Sequence, residues 1–143
     1  MAAPIKVYNP PCTLSGMKIE KRLTQYLQFL EKGNYQDIVQ LFTPDAVIRS
    51  PLYGELPAFA FYEQLLSDTT QSKITLLNLF ADESKRIGAA HFLYEWVLKE
   101  GIVTSFECVD VVHFSDSGKI NQLTIIYDTY KTRQAFEEMK NEG

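Results

Sequence analysis

Residues 86–114 read RIGAAHFLYEWVLKEGIVTSFECVDVVHF. The run is rich in β-branched and aromatic residues, alternates with period two, and is broken once at Glu100-Gly101, so it predicts two long antiparallel strands joined by a tight turn. On the first strand Ile87, Ala89, His91, Leu93, Glu95 and Val97 share one face, while Ala90, Phe92, Tyr94, Trp96 and Leu98 share the other. Both faces are apolar and both want cover. Helices can take one, and a second subunit is the simplest cover for the other, so a homodimer through the sheet is expected across Tyr94, Trp96 and Leu98. A long C-terminal segment would serve the same purpose.

If Glu100 and Gly101 form a two-residue turn, cross-strand partners sum to 201 and His91 faces Asp110. Leu93 then lies beside Cys108, and Glu95 beside Phe106. Carrying the count through SDSG, with Phe114 opposite Lys119, puts Leu123 beside Asp110 and Tyr127 beside Phe106. The Asp110 face would hold His91, Leu93, Glu95, Phe106, Cys108, Leu123, Ile125 and Tyr127, mainly apolar with a few polar groups, as a ligand cavity is. The pairing depends on register, and one bulged residue breaks it.

Working outward, KITLLNLF (residues 73–80) and KINQLTIIYD (119–128) complete a four-stranded antiparallel meander divided by ADES, EG and SDSG. Upstream, Ile19, Leu23, Tyr26, Leu27 and Leu30 recur at helical spacing and Gly33 supplies a stop. A second helix, capped by Asn34, carries Tyr35, Ile38, Val39 and Phe42 and ends before Pro44. DAVIRS (45–50) reads as a short strand, and Pro57 opens a third helix. KTRQAFEEMKNE closes the chain as a helix for which Asp128 or Thr129 is the cap. Helices followed by a meander make an α+β domain, with helices covering one face of a curved sheet. Residues 1–16, with Pro4, Pro10 and Pro11, read as an extended arm, and residues 17–143 as one domain.

Composition narrows the function. At 143 residues, 45% hydrophobic and 13% aromatic, the chain is ordinary globular material with rings enough to line a cavity. Its net charge of −4 and scattered Lys and Arg offer no basic stripe for nucleic acid. No apolar run reaches the ~20 residues of a membrane helix. The start, MAAPIKVYNPPC, has no apolar signal region, so Cys12 and Cys108 are expected as free thiols in the cytoplasm. P-loop, paired CxxC, HExxH and Gly-x-Ser-x-Gly motifs are absent.

The segments LEKGNYQDIVQLFTPDAVIRSP and VHFSDSGKI, in this order of elements, resemble the nuclear transport factor 2-like superfamily, in its SnoaL-like and ketosteroid isomerase-like branch. The resemblance covers residues 17–128 and implies a cone-shaped, cystatin-like fold with N-terminal helices on a curved, mostly antiparallel sheet. The isomerases place an oxyanion-binding tyrosine seven residues before the glycine ending the first helix, and counting back from Gly33 gives Tyr26. Their second oxyanion donor, an aspartic acid, stands nine residues before the hairpin lysine, and counting back from Lys119 gives Asp110. Their base is an aspartate before a proline, and here Ser50 precedes Pro51. The acidic residue of the cyclases falls at Ile125.

That family of isomerases exemplifies an aspartic acid kept neutral at pH 7 to hold an oxyanion. A serine hydroxyl does not take a proton from carbon without a base of its own. Steroid isomerisation is therefore not expected. The resemblance implies Tyr26 and Asp110 as catalytic candidates, and the hairpin pairing adds His91, opposite Asp110, standing in as base. Ser50, Tyr53, Phe61, Leu93, Glu95, Phe106, Cys108, Leu123, Ile125 and Tyr127 are the substrate-binding candidates. The plainer readings stand beside these: a structural His91–Asp110 pair, Ser50 closing a turn, Glu95 reaching water, Cys108 as packing. The expected function is binding of a hydrophobic carbonyl or hydroxyl compound, with proton transfer (isomerase, dehydratase or cyclase) and neither metal nor organic cofactor. The alternative is a non-catalytic ligand-binding or dimerisation module.

Overall fold

Ile19, Leu23, Tyr26, Leu27 and Leu30 form the buried stripe of α1 (Ile19–Lys32), which stops at Gly33, φ +72°. The helix start has no capping side chain of its own, and Glu83, from a distant turn, accepts the Ile19 N–H at 3.0 Å instead. Asn34 caps α2 (Tyr35–Val39) by accepting from the Asp37 N–H at 3.1 Å. The computed structural model that carries these elements describes residues 18–142, so the expected arm at 1–16 and Cys12 lie outside the described residues.

The second helix is shorter than the pattern predicts. It ends at Val39, and β1 (Phe42–Ser50) already contains Pro44. Proline is tolerated there because β1 pairs with β6 at Phe42 and again from Val47, with an irregularity between, so Pro44 owes the ladder no N–H. β2 (Gly54–Pro57) is a short strand not anticipated from the sequence, paired antiparallel to β1. α3 (Ala58–Ser67) follows, with Pro57 as its cap.

The meander appears as expected: β3 (Thr69–Asp82), β4 (Ile87–Leu98), β5 (Val103–Phe114) and β6 (Ile120–Ile126). The six strands lie in the order β2-β1-β6-β5-β4-β3, and β1 pairs parallel to β6, so the sheet is mixed but mostly antiparallel. α4 (Tyr130–Glu142) closes the chain, with the Tyr130 N–H held by Asp128 Oδ1 at 3.0 Å. Helices packed on a curved sheet give the α+β cone expected from the resemblance.

Register is where the structure corrects the sequence reading. The β4–β5 loop has three residues, Lys99–Gly101, with Glu100 at φ +65° and Gly101 at φ +74°. Leu98 donates its N–H to Ile102 O at 2.8 Å, so partners sum to 200: Ala90 faces Asp110 and His91 faces Val109. One residue in the loop exchanges the faces of β4 relative to β5. A bulge beyond His113 also moves β6, leaving Asp110 opposite Ile125 and Val112 opposite Leu123.

The face of Phe92, Tyr94, Trp96 and Leu98 is therefore the inner one, each 6% exposed or less within a single chain. It cannot serve as the dimer surface expected above. Helix α1 presses so closely on it that a Cβ added to Gly88 would lie 2.5 Å from Ile19 Cγ2. The outward face carries Ala89, His91, Leu93 and Glu95.

Candidate functional site

Between the inner face and the helices lies a cavity whose walls come from every layer of the fold. Tyr26 and Leu30 reach it from α1, and Phe61 and Leu65 from α3. Ser50, Leu52 and Tyr53 enter from the β1–β2 turn. The sheet supplies Phe92, Tyr94 and Trp96 from β4, then Phe106, Cys108 and Asp110 from β5. Ile125 and Tyr127 close the β6 side, the Tyr127 ring stacked on Phe106 at 3.9 Å. Atom-free space, counting the open mouth, comes to about 440 Å³, but a water-sized sphere can place its centre in only about 40 Å³ of it. The smaller figure governs fit, since it equals roughly three water positions. The cavity is narrow.

Asp110 is its one wall carboxyl and is 2% exposed. Burial, which disfavours the charged form, raises its pKa from 3.8 to about 7, while a hydrogen bond from Cys108 Sγ to Oδ1 at 3.3 Å works the other way. The Cys108 thiol is itself pushed far up, first by burial and then by Asp110, and so remains a donor. Beside them Tyr26 and Tyr62 share a hydrogen bond of 2.6 Å between hydroxyls. Burial raises both, Tyr26 further through its proximity to Tyr62 and Asp110, so neither ionises at physiological pH. Below about pH 7 the result is a cluster of uncharged donors in apolar surroundings, the arrangement that stabilises a developing oxyanion.

Ser50 does something else. Its Oγ accepts the N–H groups of Leu52 at 3.1 Å and Tyr53 at 3.0 Å, closing the turn after β1. That turn aims the Tyr53 ring, which donates its hydroxyl hydrogen to Asp68 Oδ2 at 2.7 Å. Asp68, 3% exposed at the end of α3, also receives Gln64 Nε2 at 3.3 Å and lies 3.4 Å from Lys99 Nζ.

Of the candidates named from sequence, Tyr26, Ser50, Tyr53, Phe61, Phe106, Cys108, Asp110, Ile125 and Tyr127 line the cavity. His91, Leu93 and Glu95 do not, because the three-residue loop turns them outward. His91 meets Glu107 Oε2 at 2.5 Å and Asn78 at 3.1 Å on the far side of the sheet, so the expected His91–Asp110 pair does not form. Leu123 stays on the Asp110 side but is fully buried opposite Val112, away from the lining. Tyr94 and Trp96, expected outside, form walls, and Tyr62 and Asp68 were missed as functional groups. Asp68 carried one signal: an acid at a helix C-terminus opposes the macrodipole and asks for a reason. Among the described residues no group of three or more His, Cys, Asp or Glu side chains could hold a metal ion, and no helix is long and apolar enough to cross a membrane.

The sequence matches the SnoaL-like domain over residues 23–123. The chain belongs to the SnoaL-like family. Solved structures agree on the fold of this SnoaL-like domain. BvnE pinacolase from Penicillium brevicompactum superposes with a TM-score of 0.72 at 16% identity, covering 87% of this chain and 94% of that one. SalBIII, an epoxide hydrolase/cyclase-like enzyme with a role in pyran ring formation in the polyether salinomycin, gives 0.67 at 18% identity over 78% and 92%. An NTF2-like protein of unknown function from Exiguobacterium sp. 255-15 gives 0.63 at 15% identity over 75% and 98%. No curated protein matches the sequence. At these identities the structural likeness shows a shared fold, the one also found in the NTF2-like protein.

Proposed function

We propose that this SnoaL-like protein binds a small hydrophobic carbonyl or hydroxyl compound in the cavity and transfers a proton on it, as an isomerase, dehydratase or cyclase. One observation carries the reading: a buried carboxyl that keeps its proton to about pH 7, beside the bonded Tyr26 and Tyr62 hydroxyls, in an otherwise apolar cleft. Such donors are matched to an enolate oxygen, and the carbon-bound proton passes to water, since among the described residues the cavity wall carries no second carboxyl or imidazole to take it. Two neighbours are named a pinacolase and an epoxide hydrolase/cyclase-like enzyme, which accords with this class. Ketosteroid isomerisation is not proposed, because Ser50 is occupied in its turn and the volume is small.

The chemistry needs no metal or organic cofactor, and the same proposal includes a homodimer. Its interface is the outer sheet face, where Phe80, Leu93, Val103 and Ile126 are 57%, 39%, 64% and 54% exposed. The second reading, a non-catalytic binding module, draws on the Ser50 geometry, which leaves no carboxylate where the isomerases carry their base.

Acetophenone in heavy water tests both readings. Binding is followed through Trp96, the only tryptophan in the sequence and a wall of the cavity, and deuterium entry into the methyl group by NMR. Saturable binding with exchange accelerated at least about 100-fold, lost in Tyr26→Phe and Asp110→Ala, supports the enzyme. Binding without exchange leaves the binding module, and no binding defeats both.

A further inference from the structure

The direction of hydrogen bonds decides what a cavity accepts, because each hydroxyl has one proton to place. Around Asp110 the protons point inward. Cys108 already donates to Oδ1, so the acid's own proton is left for the cavity. Tyr26 and Tyr62 have two hydroxyl protons and one bond between them, so one proton is spent there and one is spare, and when Tyr62 gives the bonded proton the spare one is that of Tyr26 on the cavity wall. This part of the wall donates.

At Tyr53 the direction reverses. Its proton is committed to Asp68 Oδ2, and every other partner of that carboxyl, Gln64 Nε2 and Lys99 Nζ, also gives rather than takes. The proton has no reason to leave Asp68, and the Tyr53 oxygen has only lone pairs to show. The ring cannot swing away, since it stands edge-on to Phe61 at 5.6 Å and to Phe136 at 5.5 Å, while Ser50 holds its N–H. This part of the wall accepts.

The geometry points to a ligand class: a compact single-ring hydroxy ketone or hydroxyenone, its carbonyl received by Asp110 and Tyr26 and its hydroxyl donated to Tyr53, which Asp68 positions. The inference rests on the ligand-cavity reading above and sharpens it. A donor on the ligand gains a bond to an oxygen already polarised by a carboxylate, whereas an ether or a hydrogen at that place leaves the buried oxygen unpaired. The enclosed space, about three water positions, is smaller than one substituted ring, so the ligand must extend into the open mouth and is kept to a single ring.

Three probes separate the possibilities: 4-hydroxyacetophenone, 4-methoxyacetophenone and acetophenone, titrated calorimetrically near pH 6, below the value of about 7 at which Asp110 ionises. The wild-type protein should bind the hydroxy compound about tenfold tighter than acetophenone, with no such gain for the methoxy compound. Tyr53→Phe should bring the ratio to about one, and Asp68→Asn should reduce it. Because the ratio is taken within each variant, a general loosening of the fold cancels, and Tyr53→Phe answers the question even if Asp68→Asn does not fold. A ratio that survives Tyr53→Phe, or a methoxy compound that binds as well as the hydroxy one, overturns the assignment. If none of the three binds the wild-type protein, the ligand-cavity reading itself has failed, and this inference with it.

Discussion

Strand β4 has two faces of nearly equal hydrophobicity and very different fates. Phe92, Tyr94, Trp96 and Leu98 are buried on the face that α1 and α4 pack against, with their polar atoms assigned: Tyr94 Oη bonds Ser72 Oγ at 2.8 Å and Trp96 Nε1 donates to Thr69 Oγ1 at 2.8 Å. The opposite face leaves Leu93 exposed beside a His91–Glu107 contact at its centre. The difference shows that residue type along one strand does not choose the inside. What chooses is which face the helices cover, and under that cover the inner face satisfies its polar tips with Ser72 and Thr69 of β3.

The comparison breaks most visibly by placing the same charge on each face. Trp96→Asp should abolish the cooperative unfolding transition, since it removes a core indole worth about 3–5 kcal/mol and buries a carboxylate. Leu93→Asp, three residues away on the other side, should change monomer stability by no more than about 0.5 kcal/mol and convert the proposed homodimer to monomer in sedimentation. The reverse pattern would mean that the faces have been exchanged.

A smaller effect sharpens the chemistry of the inner face. The folded protein holds the Asp110 proton to about pH 7, whereas the unfolded chain releases it near 3.8. Between those values the folded state binds more protons, so stability from this group is full below about pH 4, falls with rising pH and is lost above about 7. The integrated change is on the order of 4 kcal/mol. Urea denaturation of wild type and Asp110→Asn across this range should show the wild-type advantage declining; an advantage that grows with pH would mean the group is ionised in the fold.

The smallest effect belongs to the outer face. His91→Ala loses an exposed contact to Glu107 and should alter stability by less than about 1 kcal/mol. It should also leave acetophenone binding and exchange unchanged. A large loss of either would return His91 to the site.

Much of the fold was legible because its signals are local. Gly33 ends α1 by adopting a left-handed conformation, Asn34 caps α2 with its own side chain, and period two runs through β3 to β6. Tyr26 and Asp110 were reachable through the resemblance to the isomerases, whose spacing counts each of them from a turn residue. β2 was not, since the four residues GELP carry no period and form a strand only because β1 offers an edge. Register failed at Glu100, a non-glycine residue that takes positive φ under a non-local demand: the neighbouring Lys99 gives its N–H to Asp68 O at 3.0 Å. Asp68 stayed hidden because its partners Tyr53 and Lys99 are brought to it by folding.

The Lys99–Gly101 loop has a consequence for how such a chain can change in length. Strands alternate, so adding or deleting one residue there inverts which half of the β4 side chains faces the helices, whereas two residues restore it. Length change at this hairpin is therefore counted by parity. A relative with an even-numbered loop at this place must either have rewritten the alternation of this strand or have absorbed the odd residue in a bulge, and an alignment that opens a single gap here without one of those compensations has joined the inside of one protein to the outside of another.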